Sequence, residues 1–245
     1  MGGDESADDA EQEPQQAFHV ALPKGVVESI VPTDSVRSVT TRALYVEILI
    51  RAPLDRVWEL TQDVDLHPRW DARFSAIRPT GVRDDGARTF RYELALGVRT
   101  IRGTGVSLSE KRAAGGPRTS ALVFDADDRL SPLRRGRGYW RYVPHPEGVR
   151  FITGYDYQPW FGAFGRLLDR VLIRHVVWWL TAWSFDRLRL WAESGIEPER
   201  VTWWRGWLRG PRARARSCLS RPSAHNGRDV MAAAPDSLSR IRDHD

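Results

Sequence analysis

Residues 161–194, FGAFGRLLDRVLIRHVVWWLTAWSFDRLRLWAES, decide how the rest of the chain is read. On a helical wheel of about 100° per residue, Phe164, Leu168, Val171, Leu172, His175, Trp179 and Ala182 fall on one side. Arg166, Asp169, Arg170 and Arg174 fall on the other. The spacing predicts one long amphipathic helix with its apolar side against the domain. Gly162 and Gly165 loosen its start, and Gly195, with Pro198 soon after, stands where a left-handed C-cap belongs. His175 lies near the middle of the apolar side. Two readings of it stand: a core histidine satisfied by a backbone carbonyl, or a polar group that orients an apolar ligand inside a cavity.

Working outward, Leu44, Val46, Ile48 and Ile50 alternate with Tyr45, Glu47, Leu49 and Arg51, the pattern of a strand with one apolar face. Ala52-Pro53 stops that strand. Pro53 can open a helix, which carries Leu54, Val57, Trp58 and Thr61 on one face. Residues 63–70 read as a turn or a second short helix, broken by His67-Pro68. Strands follow at 74–78, 88–96, 98–108, 120–126, 139–143 and 149–157, with Gly103 and Gly105 expected as bulges or bends. A strand, helices, a run of strands with short links and one long helix make an α+β chain with an antiparallel sheet. Parity puts Phe151, Thr153, Tyr155 and Tyr157 on one face of the last strand. It puts Phe90, Tyr92 and Leu94 on one face of an earlier one. The long helix is expected over both, with the aromatics either filling a core or lining a cavity.

At 245 residues with 41% hydrophobic content, one domain plus tails is the economical organisation. Residues 1–41 are acidic at their start and lack a lasting period, so they are expected to be mostly structureless, with Ala17 to Val31 as a stretch that could pair with the domain edge; 42–195 form the domain. Residues 196–245 form a Trp- and Arg-rich tail, also expected to be mostly structureless. There Trp203, Trp204 and Trp207 sit among Arg205, Arg209, Arg212, Arg214 and Arg216, while Gly206, Gly210 and Pro211 interrupt any long helix. Such a composition suits peripheral contact with anionic lipid. It would also suit stacking on single-stranded nucleic acid, or indoles packed on the domain; nucleic acid is not the expected partner.

Cys218 is the single cysteine, which excludes an intrachain disulfide and a thiolate metal cage. The six histidines show no ligand spacing, so no metal is expected. HExxH, GxSxG and P-loop patterns are missing, and Gly103-Thr104-Gly105 is an incomplete dinucleotide motif on a strand, so no cofactor is expected. The acidic N-terminus has no signal-peptide character, and the most apolar run falls short of the ~18 residues that span a bilayer. A soluble, cytoplasmic protein is the expectation.

Residues 48–63 (ILIRAPLDRVWELTQD), 67–70 (HPRW) and 148–159 (GVRFITGYDYQP), with the long helix behind them, resemble the START-like, Bet v 1-type superfamily of polyketide cyclase/dehydrase and lipid-transport proteins. The resemblance covers about residues 42–195. It implies a helix-grip fold: a curved antiparallel sheet wrapped around a long C-terminal helix, with an apolar cavity between them. It also implies a hydrophobic small-molecule ligand such as a lipid, quinone or polyketide, held without a cofactor. Only some members catalyse, so a polyketide aromatase/cyclase is the alternative. The expected cavity residues are Trp70, Phe90, Tyr92, Leu94, Phe151, Thr153, Tyr155, Tyr157, Leu168, Val171, His175 and Trp179. A cyclase needs an acid or base near a carbonyl. His175 and Tyr155 are the candidates, with Arg102 or Arg141 polarising an oxygen if they face inward.

Overall fold

The computed structural model describes residues 43–96, 99–111, 115–128, 131, 133–159, 162–201, 212–222 and 229–241. The expectations for residues 1–41 and for Trp203, Trp204 and Trp207 lie outside the described residues. Strand β1 (Leu44–Ile50) is followed by helices α1 (Leu54–Gln62) and α2 (His67–Trp70). Six strands then run in succession: β2 (Ala76–Val82), β3 (Arg88–Leu96), β4 (Arg99–Lys111), β5 (Arg118–Ala126), β6 (Leu133–His145) and β7 (Gly148–Pro159). All seven pair antiparallel in the order β1-β7-β6-β5-β4-β3-β2. After β1 the chain crosses to the far edge through α1 and α2, then meanders back until β7 lies beside β1. This is the α+β arrangement expected, a curved sheet with a long C-terminal helix.

Two local expectations change. Pro68 sits in the first turn of α2 and opens that helix rather than breaking it, since its missing N–H would have no partner there. Pro79 lies inside β2, which an edge strand tolerates because one side of its backbone needs no ladder partner.

Gly103 and Gly105 are not bulges: β3, β4 and β5 keep an unbroken register through both. Their role is to make room for rings lying flat across the sheet. A Cβ on Gly103 would overlap Tyr92, one on Gly105 would overlap Phe90, and one on Gly136 would overlap Phe124. The register Phe90–Gly105–Phe124–Gly136–Tyr157 therefore alternates large and absent side chains across five strands.

The long helix comprises α3 (Gly162–Leu168), a π-helical turn at Asp169–Ile173, and α4 (Arg174–Ser194), capped by Gly195 at φ 66° as expected. Its second half makes the main core. Ala182, Phe185, Leu188 and Trp191 pack with Val46, Ile48 and Ile50 of β1, Phe151 of β7, Val57 and Leu60 of α1, and Trp70. The Phe151 and Phe185 rings stack at 4.5 Å. Full burial of each such side chain contributes about 1.5–3 kcal/mol, so this half anchors the helix.

The first half of the helix departs from the expectation at several positions, although Arg166 and Arg170, expected outward, are exposed. Asp169 is buried and accepts a 2.5 Å hydrogen bond from Tyr157, and Arg174 donates to the Ala43 carbonyl at 3.1 Å. These groups belong to the side expected outward. Leu168, Val171, His175 and Trp179, expected inward, are exposed. A carboxylate is cheaper to bury with a partner than without one, and Tyr157 supplies that partner here, while the part-buried Arg174 finds the Ala43 carbonyl.

Within 196–245, expected to be mostly structureless, the described residues include segments packed on the domain. A short turn at Ala215–Ser217 packs on α4, and Leu219 exchanges both backbone hydrogen bonds with Glu47, at 3.1 and 2.9 Å. That bridge covers part of the open edge of β1. The turn Val230–Ala233 and helix α5 (Ser237–Arg240) lie on the outer face, where Leu238 and Ile241 join Ala87, Leu108 and Ala121 in a second core. These apolar residues are too few and too widely spaced to show a period. Among the described residues, no helix is long and apolar enough to cross a membrane.

Candidate functional site

Of the sheet, α4 covers chiefly β1, with Phe185 and Thr181 reaching β7, so the inner face further along is lined by the sheet's own side chains. Parity turns Phe90, Tyr92 and Leu94 of β3 inward with Leu122 and Phe124 of β5. Phe90, Leu94, Leu122 and Phe124 are all half-buried. Because the rings lie over glycines, they form a low apolar floor instead of standing into the space above it. Tyr92 meets Phe124 at 6.5 Å and Phe74, from the segment after α2, at 5.6 Å, both edge to face. Tyr155 and Tyr157 of β7, with Val177 and Trp178 of the helix, wall this floor on the β1 side.

Where the floor meets α2 and α4 there is a buried polar cluster. Asp71, fully buried, takes two hydrogen bonds from the Arg73 guanidinium at 2.9 and 2.7 Å and lies 3.3 Å from His67 Nε2. Arg73 Nη1 donates to Thr181 Oγ1 at 3.2 Å, and that hydroxyl donates in turn to the Val177 carbonyl at 2.8 Å. With the single Thr181 proton so used, the 2.9 Å contact between Tyr155 and Thr181 is a hydrogen bond donated by Tyr155.

The electrostatics follow from burial and pairing. Burial alone would raise the Asp71 carboxyl, but the adjoining Arg73 charge and hydrogen bonds outweigh it and hold the acid well below the usual carboxylate range. Arg73 is held more firmly protonated: burial opposes its charge, and Asp71 more than offsets that. Burial pushes the Tyr155 phenol up, as it does Tyr92 and Tyr157, where the neighbouring Asp127 and Asp169 add to it. None of these phenols is poised to act as a base near neutral pH. The cluster can hold a rigid polar corner beside an apolar floor, with the part-exposed Arg73 as its cation.

The expected site residues separate into three groups. Phe90, Tyr92, Leu94, Tyr155 and Tyr157 come together as floor and wall. Trp70, Phe151 and Thr153 are packed in the interior: the Trp70 indole donates to the Leu60 carbonyl at 2.8 Å, and the Thr153 hydroxyl donates to the Tyr139 carbonyl at 3.0 Å. Leu168, Val171, His175 and Trp179 lie on the exposed side of the helix. His175 and Tyr155 are therefore on opposite sides of it and cannot act on one carbonyl. Arg102 and Arg141 point to the outer face, toward Glu93 and the Ala233 carbonyl. Sequence reasoning missed Asp71, Arg73, Phe74 and Phe124. An acid and an arginine two residues apart, directly after His67-Pro68-Arg69-Trp70, were the signal available for the first pair. Among the described residues, no group of His, Cys, Asp and Glu could hold a metal ion.

The protein is 40% identical over 161 residues to the uncharacterized membrane protein YndG of Bacillus subtilis, a match covering 65% of this chain and 60% of that one. The chain thus spans about 60% of that relative's length. Among solved structures it is similar to the Zhui aromatase/cyclase of Streptomyces sp. R1128, at a TM-score of 0.45 and 13% identity, covering 64% of this chain and 98% of that one. It is also similar to a START superfamily protein of Mycobacterium smegmatis, at a TM-score of 0.43 and 11% identity, over 59% and 94% of the two chains. Likenesses at this level say nothing of a ligand or a reaction. The decisive match is to a family described as polyketide cyclase / dehydrase and lipid transport, over residues 41–193, which takes in the strands, the floor, the polar corner and nearly all of the long helix. The chain belongs to that family.

Proposed function

We propose that the inner face of β3 and β5, walled by Tyr155 and Tyr157, binds a hydrophobic small molecule such as a lipid, quinone or polyketide, and carries or presents it rather than transforming it. The observation that supports this most is the floor itself. Phe90, Leu94, Leu122 and Phe124 stay half-buried on the side of the sheet that α4 leaves uncovered. Apolar surface left wet inside a folded chain is what an apolar ligand would cover, at about 25 cal/mol per Å² removed from water. Arg73, beside the floor, would meet a carbonyl, carboxylate or headgroup oxygen at one end of the ligand. The cyclase reading loses the pair named for it, because His175 lies outside and the Tyr155 proton is committed to Thr181.

The test is titration with a fluorescent fatty acid and a fluorescent sterol. Saturable binding is expected, weakened about tenfold or more by Gly136→Val, which lifts the Phe124 ring off the sheet into the ligand's space. Leu219→Ala, on the remote β1 edge, should leave it unchanged. No saturable binding of either probe, or equal binding by wild type and a folded Gly136→Val, would sink the reading.

A further inference from the structure

The outward side of the helix is unlike a solvated surface. Leu167 is 61% exposed, Val171 67%, Leu172 53%, Val176 50% and Trp179 47%, and Leu168 and His175 lie among them. They recur at three- and four-residue spacing and so form one stripe, about 18 Å long at 1.5 Å per residue. Trp179 stacks parallel on Trp183 at 6.0 Å, closing the stripe with two indoles. Arg166 and Arg170, one turn apart and both exposed, flank its start. Between residues 162 and 185 Asp169 is the one acid, and it is turned inward to Tyr157. The exposed side over that span is thus apolar and basic, with no carboxylate.

We propose that this side of the helix, residues 167–179, is a docking surface for a phospholipid bilayer bearing anionic headgroups. The charge chooses the occupant. A second copy meeting the stripe with its own residues 162–185 would offer Arg166 and Arg170 no outward acid to pair with, since Asp169 is turned inward. An anionic headgroup layer supplies negative charge where the arginines are and an acyl boundary where the leucines and valines are. Indoles prefer the level between the two, which is where Trp179 and Trp183 would sit with the helix lying flat. The inward turn of Asp169 serves the same end, since it removes the one charge that headgroups would repel. Tyr157 is both the partner of Asp169 and part of the floor's wall, so the docking helix and the floor share one side chain. The docking proposal does not depend on the floor holding a ligand.

The experiment is flotation of the full chain with vesicles of phosphatidylcholine, with and without phosphatidylglycerol. Wild type should float with the mixed vesicles, less at high salt. The double variant Val171→Asp, Leu172→Asp, at exposed positions, should lose about tenfold or more of that binding. Arg166→Gln and Arg170→Gln should each lose about fivefold on mixed vesicles and nothing on phosphatidylcholine alone. Failure of wild type to float would overturn the proposal, as would wild-type flotation by the aspartate variant. It would equally fall if the triple variant Trp203→Ser, Trp204→Ser, Trp207→Ser abolished flotation while the aspartate variant kept it. A dimer in light scattering that the aspartate variant splits, without vesicle binding, would assign the stripe to a second copy instead.

Discussion

The two halves of the long helix are made of similar residues and meet opposite fates. In the second half Ala182, Phe185, Leu188 and Trp191 are buried against β1, β7 and α1, whereas in the first half Val171, Leu172, Val176 and Trp179 face out. What differs is the surface each half finds opposite itself. The second half meets an apolar strand and a stacked ring. The first meets the Tyr157 hydroxyl and the Ala43 carbonyl, which bind Asp169 and Arg174. Hydropathy ranks side chains, but the polar groups waiting on the sheet choose which side of the helix turns in.

The comparison breaks first at the buried half. Phe185→Ala should cost about 3–5 kcal/mol in urea unfolding, since it removes a ring stacked on Phe151 and leaves a cavity. Leu172→Ala should stay within about 0.5 kcal/mol of wild type, as exposed positions do. Similar costs for the two would mean that both halves are buried alike.

The polar corner comes next. Asp71→Asn should cost about 3 kcal/mol, the low end for breaking a buried pair, because the Arg73 left behind still reaches some solvent. The folded Asp71 carboxyl titrates below its unfolded value of about 4, so its contribution is complete above about pH 4 and is lost as pH falls through the depressed value. Unfolding free energies measured from neutral pH downward should fall more steeply below about pH 4 in wild type than in Asp71→Asn. Parallel curves would show that Arg73 does not hold this acid ionised.

A smaller loss than either of these sharpens the comparison most. Tyr157→Phe removes the hydroxyl that keeps Asp169 inside and should cost about 1.5–2 kcal/mol, as for a hydrogen bond to a charged group. Amide exchange should speed up over residues 165–176 and stay slow over 181–191. Uniform acceleration would mean that the two halves open as one unit, and that Tyr157 does not set the orientation of the first.

What the sequence determined by itself was the order and kind of elements. The alternation at 44–50, the Pro53 start of α1, the turn before β3 and the Gly195 cap are local signals, each set by backbone dihedrals and side-chain parity within a few residues. The shared faces of Phe90, Tyr92 and Leu94, and of Phe151, Thr153, Tyr155 and Tyr157, follow from the same parity. Only the tertiary structure decided which of those residues are core and which are floor, because that depends on where α4 stops covering the sheet. It also decided that Gly103 and Gly105 seat rings rather than bend strands, since the rings come from the neighbouring strand. The same holds for the Asp71–Arg73 corner, for Leu238 and Ile241 closing the outer face, and for the side of the helix that turns in. Each of these is a pairing between residues far apart in the chain, and a wheel drawn on one helix contains no information about the hydroxyl or carbonyl waiting across from it.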